Sequence, residues 1–390
     1  MLKDECIDKC LQEEMIKDKY IGELPQKEIN SISDYISNIS FLIEKRKNTR
    51  TTFVYRGEPR KFDQYCTPNI FRKNILSTNE FYEKSLLNAL RQNKLSERSN
   101  YLENAIDAQH GEFPSRLLDV TYNCLIALYF AVTPFYKQNV TNSDDEDGMV
   151  YIFYIEDIFS PTAQNIIENY DAVINKDQKW FNSMIFEKNH KFIDHTKINN
   201  RIIAQQGAFI LFQGDDAERI PTYMMNGIVI PKESKPRLRE ELSLMFGINT
   251  GTIYPEIVNR VDDIINQSQK IVANNFDYKN EVRYVLKKFE KELEYYYDYL
   301  RFINDISYES FYYDAVCYVE KIINSYRIGL CELFESLDDL FKLDNEEYRK
   351  KELFKAEIIK KYNDLVDEFK KELSRIDRIT ELSNLEIKGE

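Results

Sequence analysis

Five side chains able to do chemistry crowd into residues 109–121: Gln109, His110, Arg116, Asp119 and Thr121. An imidazole and a carboxylate can move protons, a guanidinium can grip an anion, and the amide and hydroxyl can orient a polar ligand. Gly111 and Pro114 punctuate the run, and Pro114 restricts Phe113 to extended geometry, which predicts a tight loop over 110–115. The chain then enters CLIALYFAV, apolar nearly all round and so a buried helix, predicted over 122–132 with Asp119 and Thr121 as cap residues. A buried helix whose N-terminus faces a polar loop offers free amides to an anion. Plain structural roles stay open as well: Asp119 as a cap only, His110 as a donor to a backbone carbonyl.

Arg56 is the other candidate of this kind. TTFVY at 51–55 is β-branched or aromatic, as in a short buried strand, and Arg56-Gly57 closes it. An arginine there, beside an open glycine backbone, can hold a phosphate or carboxylate bidentately, or form an ion pair with a nearby acid. Metal chemistry has less support. Cys6 and Cys10 lie one helical turn apart without a second pair, and His190 and His195, five residues apart, would point about 140° from one another on a helix. No metal site is expected.

The elements that must carry these groups read as a mixture. A helix is predicted over 28–46, capped by Ser31, Ser33 or Asp34, and two more over 79–108. NSDDEDG at 142–148 is a solvated acidic turn leading into MVYIFYI, an apolar run suited to the centre of a sheet. Residues 156–200 are polar and irregular with short helical pieces. Strands follow at 208–212 and 227–232, then a helix over 236–246 ending at Gly247, with Pro255 favouring another helix start. Strands with intervening helices and long connections predict an α+β fold with a mixed sheet. From 276 onward, long tyrosine-rich patterns at 278–300, 308–341 and 345–382 predict a helical bundle. Its tyrosines, Tyr295, Tyr296, Tyr297 and Tyr299 among them, suit a packed core better than a base-stacking surface.

Length suggests two domains, and a hydrophobic share of 43% with 11 Gly and 10 Pro describes an ordered chain. A net charge of −13 argues against unspecific attraction to nucleic acid or anionic membrane. The charged first twenty residues and scattered cysteines describe a soluble cytoplasmic protein without a secretory signal.

Four blocks in order resemble the FRG domain of bacterial and phage-related proteins: YRGE at 55–58, QHGEFPSRLLDVT at 109–121, RIIAQQGAFILF at 201–212 and GINTGTIYPEI at 247–257. The (F/Y)RG motif that names the family is matched by Tyr55, Arg56 and Gly57. The second block departs at Ser115, where threonine is common, and at Val120, where tryptophan is common. The resemblance spans roughly 30–270 and divides the chain into a helical extension at 1–29, an FRG domain at 30–272 and a helical domain at 273–390. FRG domains are remotely similar to the ADP-ribosyltransferase fold and recur in toxin-like and antiphage settings. The resemblance therefore implies NAD as substrate, with ADP-ribose passed to a macromolecular acceptor, or else a catalytically silent module that senses a nucleotide or a phage protein. It implies Glu256, Asp119 and His110 as catalytic candidates, Glu256 first, and Arg56, Gly57, Gln109, Arg116, Thr121 and Gln206 as the NAD-binding set. A glutamate two residues after a Gln or Glu, the familiar transferase pattern, is absent at 205–209. Partners implied are a protein, or a second copy, on the C-terminal helices; nucleic acid enters only as an acceptor, and no membrane is involved.

Overall fold

The computed structural model describes residues 28–47, 50–72, 82–96, 98–109, 113–133, 143–177, 188–194, 200–214, 217–256, 277–306, 309–340 and 345–376, with short pieces at 12–13, 15, 17–18, 22–23, 261, 264–265, 268 and 385–386. The chain forms two compact units, Met1–Ile271 and Val272–Glu390. Most of the expected extension at 1–29 lies outside the described residues.

The first unit is α+β, built on a seven-stranded mixed sheet. Its strands are β1 (Thr52–Glu58), β2 (Leu117–Thr121), β3 (Gly148–Ile155), β4 (Ile158–Phe159), β5 (Lys191–Ile193), β6 (Gly207–Leu211) and β7 (Met225–Ile230). They lie in the order β4-β5-β6-β2-β1-β3-β7, antiparallel except for the β4–β5 pair. Two residues separate β3 from β4 in sequence, a reach of about 10 Å. A flat sheet would hold those strands ~24 Å apart at the usual strand spacing. The sheet must therefore curl, bringing the far end of β3 back toward the β4 edge.

Helices cover the outer face in two groups. Over β1 and β3 lie α1 (Ile32–Arg46), α4 (Cys124–Val132) and α7 (Lys235–Phe246), joined in one core with Tyr55, Val150, Ile152 and Ile228. Over β2 and β6 lie α2 (Tyr82–Gln92), α3 (Tyr101–Ala108), α5 (Gln164–Asn175) and α6 (Asn200–Gln205), sharing a core with Leu117, Phe209 and Leu211. A four-residue helix, α8 (Thr250–Ile253), follows α7. The inner face buries Val54, Leu118, Val120, Tyr151, Phe153 and Ile210 under Tyr65 and Cys66. Strand alternation explains the division, since Tyr55 and Val54 must face opposite ways.

α4 is pressed onto the sheet where two glycines leave room. A Cβ on Gly57 would sit 1.8 Å from the Ala127 carbonyl oxygen, and one on Gly148 would sit 2.4 Å from that of Ala131. Tyr35 of α1 fixes the start of α4 by donating to the Cys124 carbonyl at 2.8 Å.

Several expectations change. Residues 117–121 form β2, paired over its length with β6, so Asp119 and Thr121 are strand residues and the cap of α4 is Asn123, whose side chain accepts from the Leu125 amide. The reason is that Leu117, Leu118 and Val120 each find a core to enter, on alternate faces, and a five-residue ladder outweighs a cap. Inside 156–200, expected to be irregular with short helical pieces, lie the twelve-residue α5 and also the short strands β4 and β5. Pro255 follows α8, and the helix expected to start there falls largely outside the described residues. Ser31 is the cap of α1, and Gly247, at φ +64, ends α7 as expected.

The second unit consists of α9 (Tyr278–Ile306), α10 (Glu309–Leu340) and α11 (Asn345–Leu373). Leu286, Phe289, Val319, Ile323, Ile358, Tyr362 and Phe369 make its core, with Phe289 and Tyr362 stacked at 5.2 Å. Of the tyrosines singled out above, Tyr296 and Tyr297 pack against this core, whereas Tyr295 is 64% exposed. Among the described residues, no helix is long and apolar enough to cross a membrane.

Candidate functional site

The centre of the sheet is incompletely paired. β1 makes a seven-residue ladder with β3, and β2 a five-residue ladder with β6, but β1 and β2 meet at one position only, Tyr55 opposite Thr121. Beyond that bridge the two strands part. The opening lies between residues 56–58 of β1 and 117–120 of β2, and the Arg56 side chain reaches across it to donate from Nη1 to the Asp119 carbonyl at 2.8 Å.

Glu58 holds Arg56 from below. The Glu58 carboxylate is 1% exposed and takes three donors on Oε1: Arg56 Nε at 3.0 Å, Arg72 Nη2 at 2.9 Å and the Cys66 amide at 3.2 Å. Two guanidinium groups thus share one buried carboxylate, leaving a local excess of positive charge. Burial opposes the charge on Arg56, but Glu58, with Asp119 behind it, more than offsets this and lifts its pKa above the ordinary arginine value. Arg72 goes the other way, lowered by burial and by Arg56.

Asp119 is the exposed member of β2, lying between strand residues covered by the two helix groups. Solvent reaches its side chain, yet the protein around it desolvates the carboxylate enough to raise its pKa, against the pull of Arg56 and Arg201. Arg201, on α6, lies 4.6 Å over the Tyr254 ring and 4.0 Å from the Glu256 carboxylate, which is 47% exposed. A chain of contacts fixes α6 and α8 against β2. Thr121 donates to the Gln205 carbonyl at 2.7 Å, and the Gln205 amide donates to the Ile253 carbonyl at 3.3 Å. Gln206, left-handed at φ +47 and exposed, makes the turn into β6, and its carbonyl accepts from the Tyr122 amide.

Arg56 thus reaches the Asp119 main chain and Arg201 reaches Glu256, with Thr121 and Gln206 on the adjoining strand end and turn. Arginines and carboxylates gathered beside a solvent-open split can hold an anionic ligand and stabilise developing positive charge on it. Arg201 was missed as a site residue although it begins the third sequence block.

Other candidates have different surroundings. Arg116 is 1% exposed, its guanidinium bonded to Glu83 at 2.7 Å and to the carbonyls of Phe212, Gln213 and Gly214. Tyr170 completes the pair by donating to Glu83 at 2.7 Å. Gln109 ties the two ends of its loop together, donating to Ser115 Oγ and the Leu117 carbonyl, while its own Oε1 is buried without a partner. Gly57 faces α4 rather than the opening. His110 lies outside the described residues.

Residues 51–139 match the family model of the FRG domain. The chain carries an FRG domain. The matched stretch runs from β1 through α4 and so contains Arg56 and Asp119, but it is shorter than the 30–270 expected from the sequence blocks, and Arg201 and Glu256 fall beyond it. No curated protein and no solved structure matches the chain.

Proposed function

We propose that the FRG domain binds NAD in the split between β1 and β2 and transfers its ADP-ribose to a macromolecular acceptor, as an ADP-ribosyltransferase-like effector in a toxin or antiphage setting. The observation that carries this reading is the solvent-open Asp119 carboxylate under the joint influence of Arg56 and Arg201. Arg56 and Arg201 would grip the pyrophosphate. As the bond from ribose C1′ to nicotinamide breaks, nicotinamide leaves with the electron pair and positive charge develops on the ribose. Asp119 meets that charge; desolvation raises its pKa, and Arg56 and Arg201 work against that rise. Glu256, exposed beside Arg201, faces the side from which an acceptor nucleophile would arrive and lose its proton. On this reading Asp119 takes the role that the resemblance gives first to Glu256. The test is incubation of the full chain with labelled NAD, cell lysate and nucleic acid. Nicotinamide release and label transfer, both lost in Asp119→Asn, are expected; their absence under all conditions overturns the enzymatic reading.

A second reading is favoured by the bonds that Arg56 already makes to Glu58 and to the Asp119 carbonyl. A guanidinium so restrained suits recognition without turnover. On this reading the domain senses a nucleotide, NAD binding registers by calorimetry with no nicotinamide released, and Glu256→Gln leaves binding unchanged.

A further inference from the structure

The curl of the sheet leaves a second concavity, at the other end of β1. β7 stops pairing with β3 at Met225 opposite Phe153, held off by Pro221 and the tight turn Thr222–Met224, while β3 runs on to Ile155. β4 starts at Ile158 on the far edge of the sheet. The seam stays open, and a cavity of about 480 Å³ sits in it. The mouth of a rolled sheet is a recurrent place for small-molecule sites, and this volume is within their usual range of roughly 300–1,000 Å³.

We propose that this seam is a binding site for a small organic anion carrying a flat ring, of the size of a nucleoside monophosphate. Three cationic side chains, Arg46, Lys188 and Lys191, line it against two carboxylates, Glu156 and Asp157. In a chain of net charge −13 that local balance is reversed. Two of the cations are held at the wall: the Arg46 guanidinium lies 4.9 Å over the Tyr154 ring and the Lys191 ammonium 4.7 Å over the Phe159 ring. The third, Lys188, is joined to Glu218 at 3.8 Å by a largely exposed pair, which an incoming anion can exchange at little cost. Glu156 and Asp157 are exposed. Phe192 and Tyr223 complete an aromatic lining suited to a flat body. None of Arg56, Asp119 and Arg201 lines this cavity, so the site is independent of the NAD reading.

Calorimetric titration of the full chain with adenosine monophosphate, adenosine and inorganic phosphate tests the proposal. The nucleotide is expected to bind, with adenosine and phosphate each weaker by about tenfold or more, because neither carries both ring and charge. Arg46→Met and Lys191→Met should each weaken nucleotide binding about tenfold, and Lys232→Met, which removes an exposed charge outside the seam, should leave it within about twofold. Melting curves identify any variant that fails to fold, and the other variant then decides. Absence of nucleotide binding at millimolar concentration, equal affinity for adenosine, or loss of binding in Arg56→Ala with neither seam variant affected overturns it.

Discussion

Arg56 donates from Nη1 to the main-chain carbonyl of Asp119 at 2.8 Å, across strands that otherwise pair only through Tyr55 and Thr121. The same residue therefore spans the opening and presents its charge there. A side chain takes the place of the ladder hydrogen bonds that would have closed the sheet.

Replacement of Arg56 separates ligand capture from charge alone. Arg56→Ala is expected to weaken NAD binding by about 10- to 100-fold, the usual range for losing a charged hydrogen-bond donor. Arg56→Lys should recover little of this, since an ammonium cannot serve Glu58, the Asp119 carbonyl and a ligand from one fork. Calorimetry reads both, and an unchanged affinity removes Arg56 from the site.

Asp119→Asn should raise stability and lower activity together. The pKa of Asp119 is raised by desolvation from the protein around it, so the fold favours its protonated form. Stability from this group is present at low pH and lost as pH rises through its folded value, which makes the ionised carboxylate costly at neutral pH. The variant is expected to melt above the wild type at pH 7–8, with the gap closing as pH falls below the ordinary carboxylate range, while nicotinamide release drops by about 100-fold or more. Melting curves across pH test the first half; a lower melting point at neutral pH contradicts it.

Arg116 is expected to behave as a residue of the fold. Removing one partner of its buried pair with Glu83 leaves an uncompensated charge, at a cost of about 3–5 kcal/mol. Glu83→Gln should therefore destabilise the first unit strongly in denaturant titrations. The double replacement Arg116→Met with Glu83→Leu should be milder than the sum of the single ones. A stable Arg116→Met variant that binds NAD weakly would return Arg116 to the site.

His190 gives the first unit an acid-side weakness. Burial lowers its pKa from 6.5, so the unfolded chain takes up a proton that the fold refuses. Its contribution is complete above that ordinary value and is lost as pH falls through 6.5 toward the folded pKa. His190→Gln should flatten the loss of stability between about pH 7 and pH 5 by up to one proton's worth of slope. Urea titrations at stepped pH measure it, and an unchanged slope refutes it.

The sheet centre was legible because MVYIFYI has one reading, an apolar run too short for a buried helix and bounded by a turn. β4 and β5 were not, since two or three residues leave no period to detect. A polar residue just before an apolar helix has the signature of a cap, and only the partner strand about 90 residues downstream, Gly207–Leu211, makes Asp119 a strand residue. Arg201 was hidden for the same reason: the β2–β6 pairing brings it near enough to Asp119 to act on its charge, and sequence spacing does not encode that pairing. Composition placed the tyrosines of the helical unit only in part, because helix faces decide which of them are covered.

The glycine beneath α4 has a consequence for how this chain can change. In a library read by two separate selections, one for intracellular abundance and one for ligand capture, nearly every replacement of Gly57 would be purged by the first, because the Ala127 carbonyl occupies the space of a side chain. Variants at Arg56 would survive the first more often and disappear in the second. Adjacent letters of one motif would then carry different mutational signatures, one written by assembly and the other by recognition.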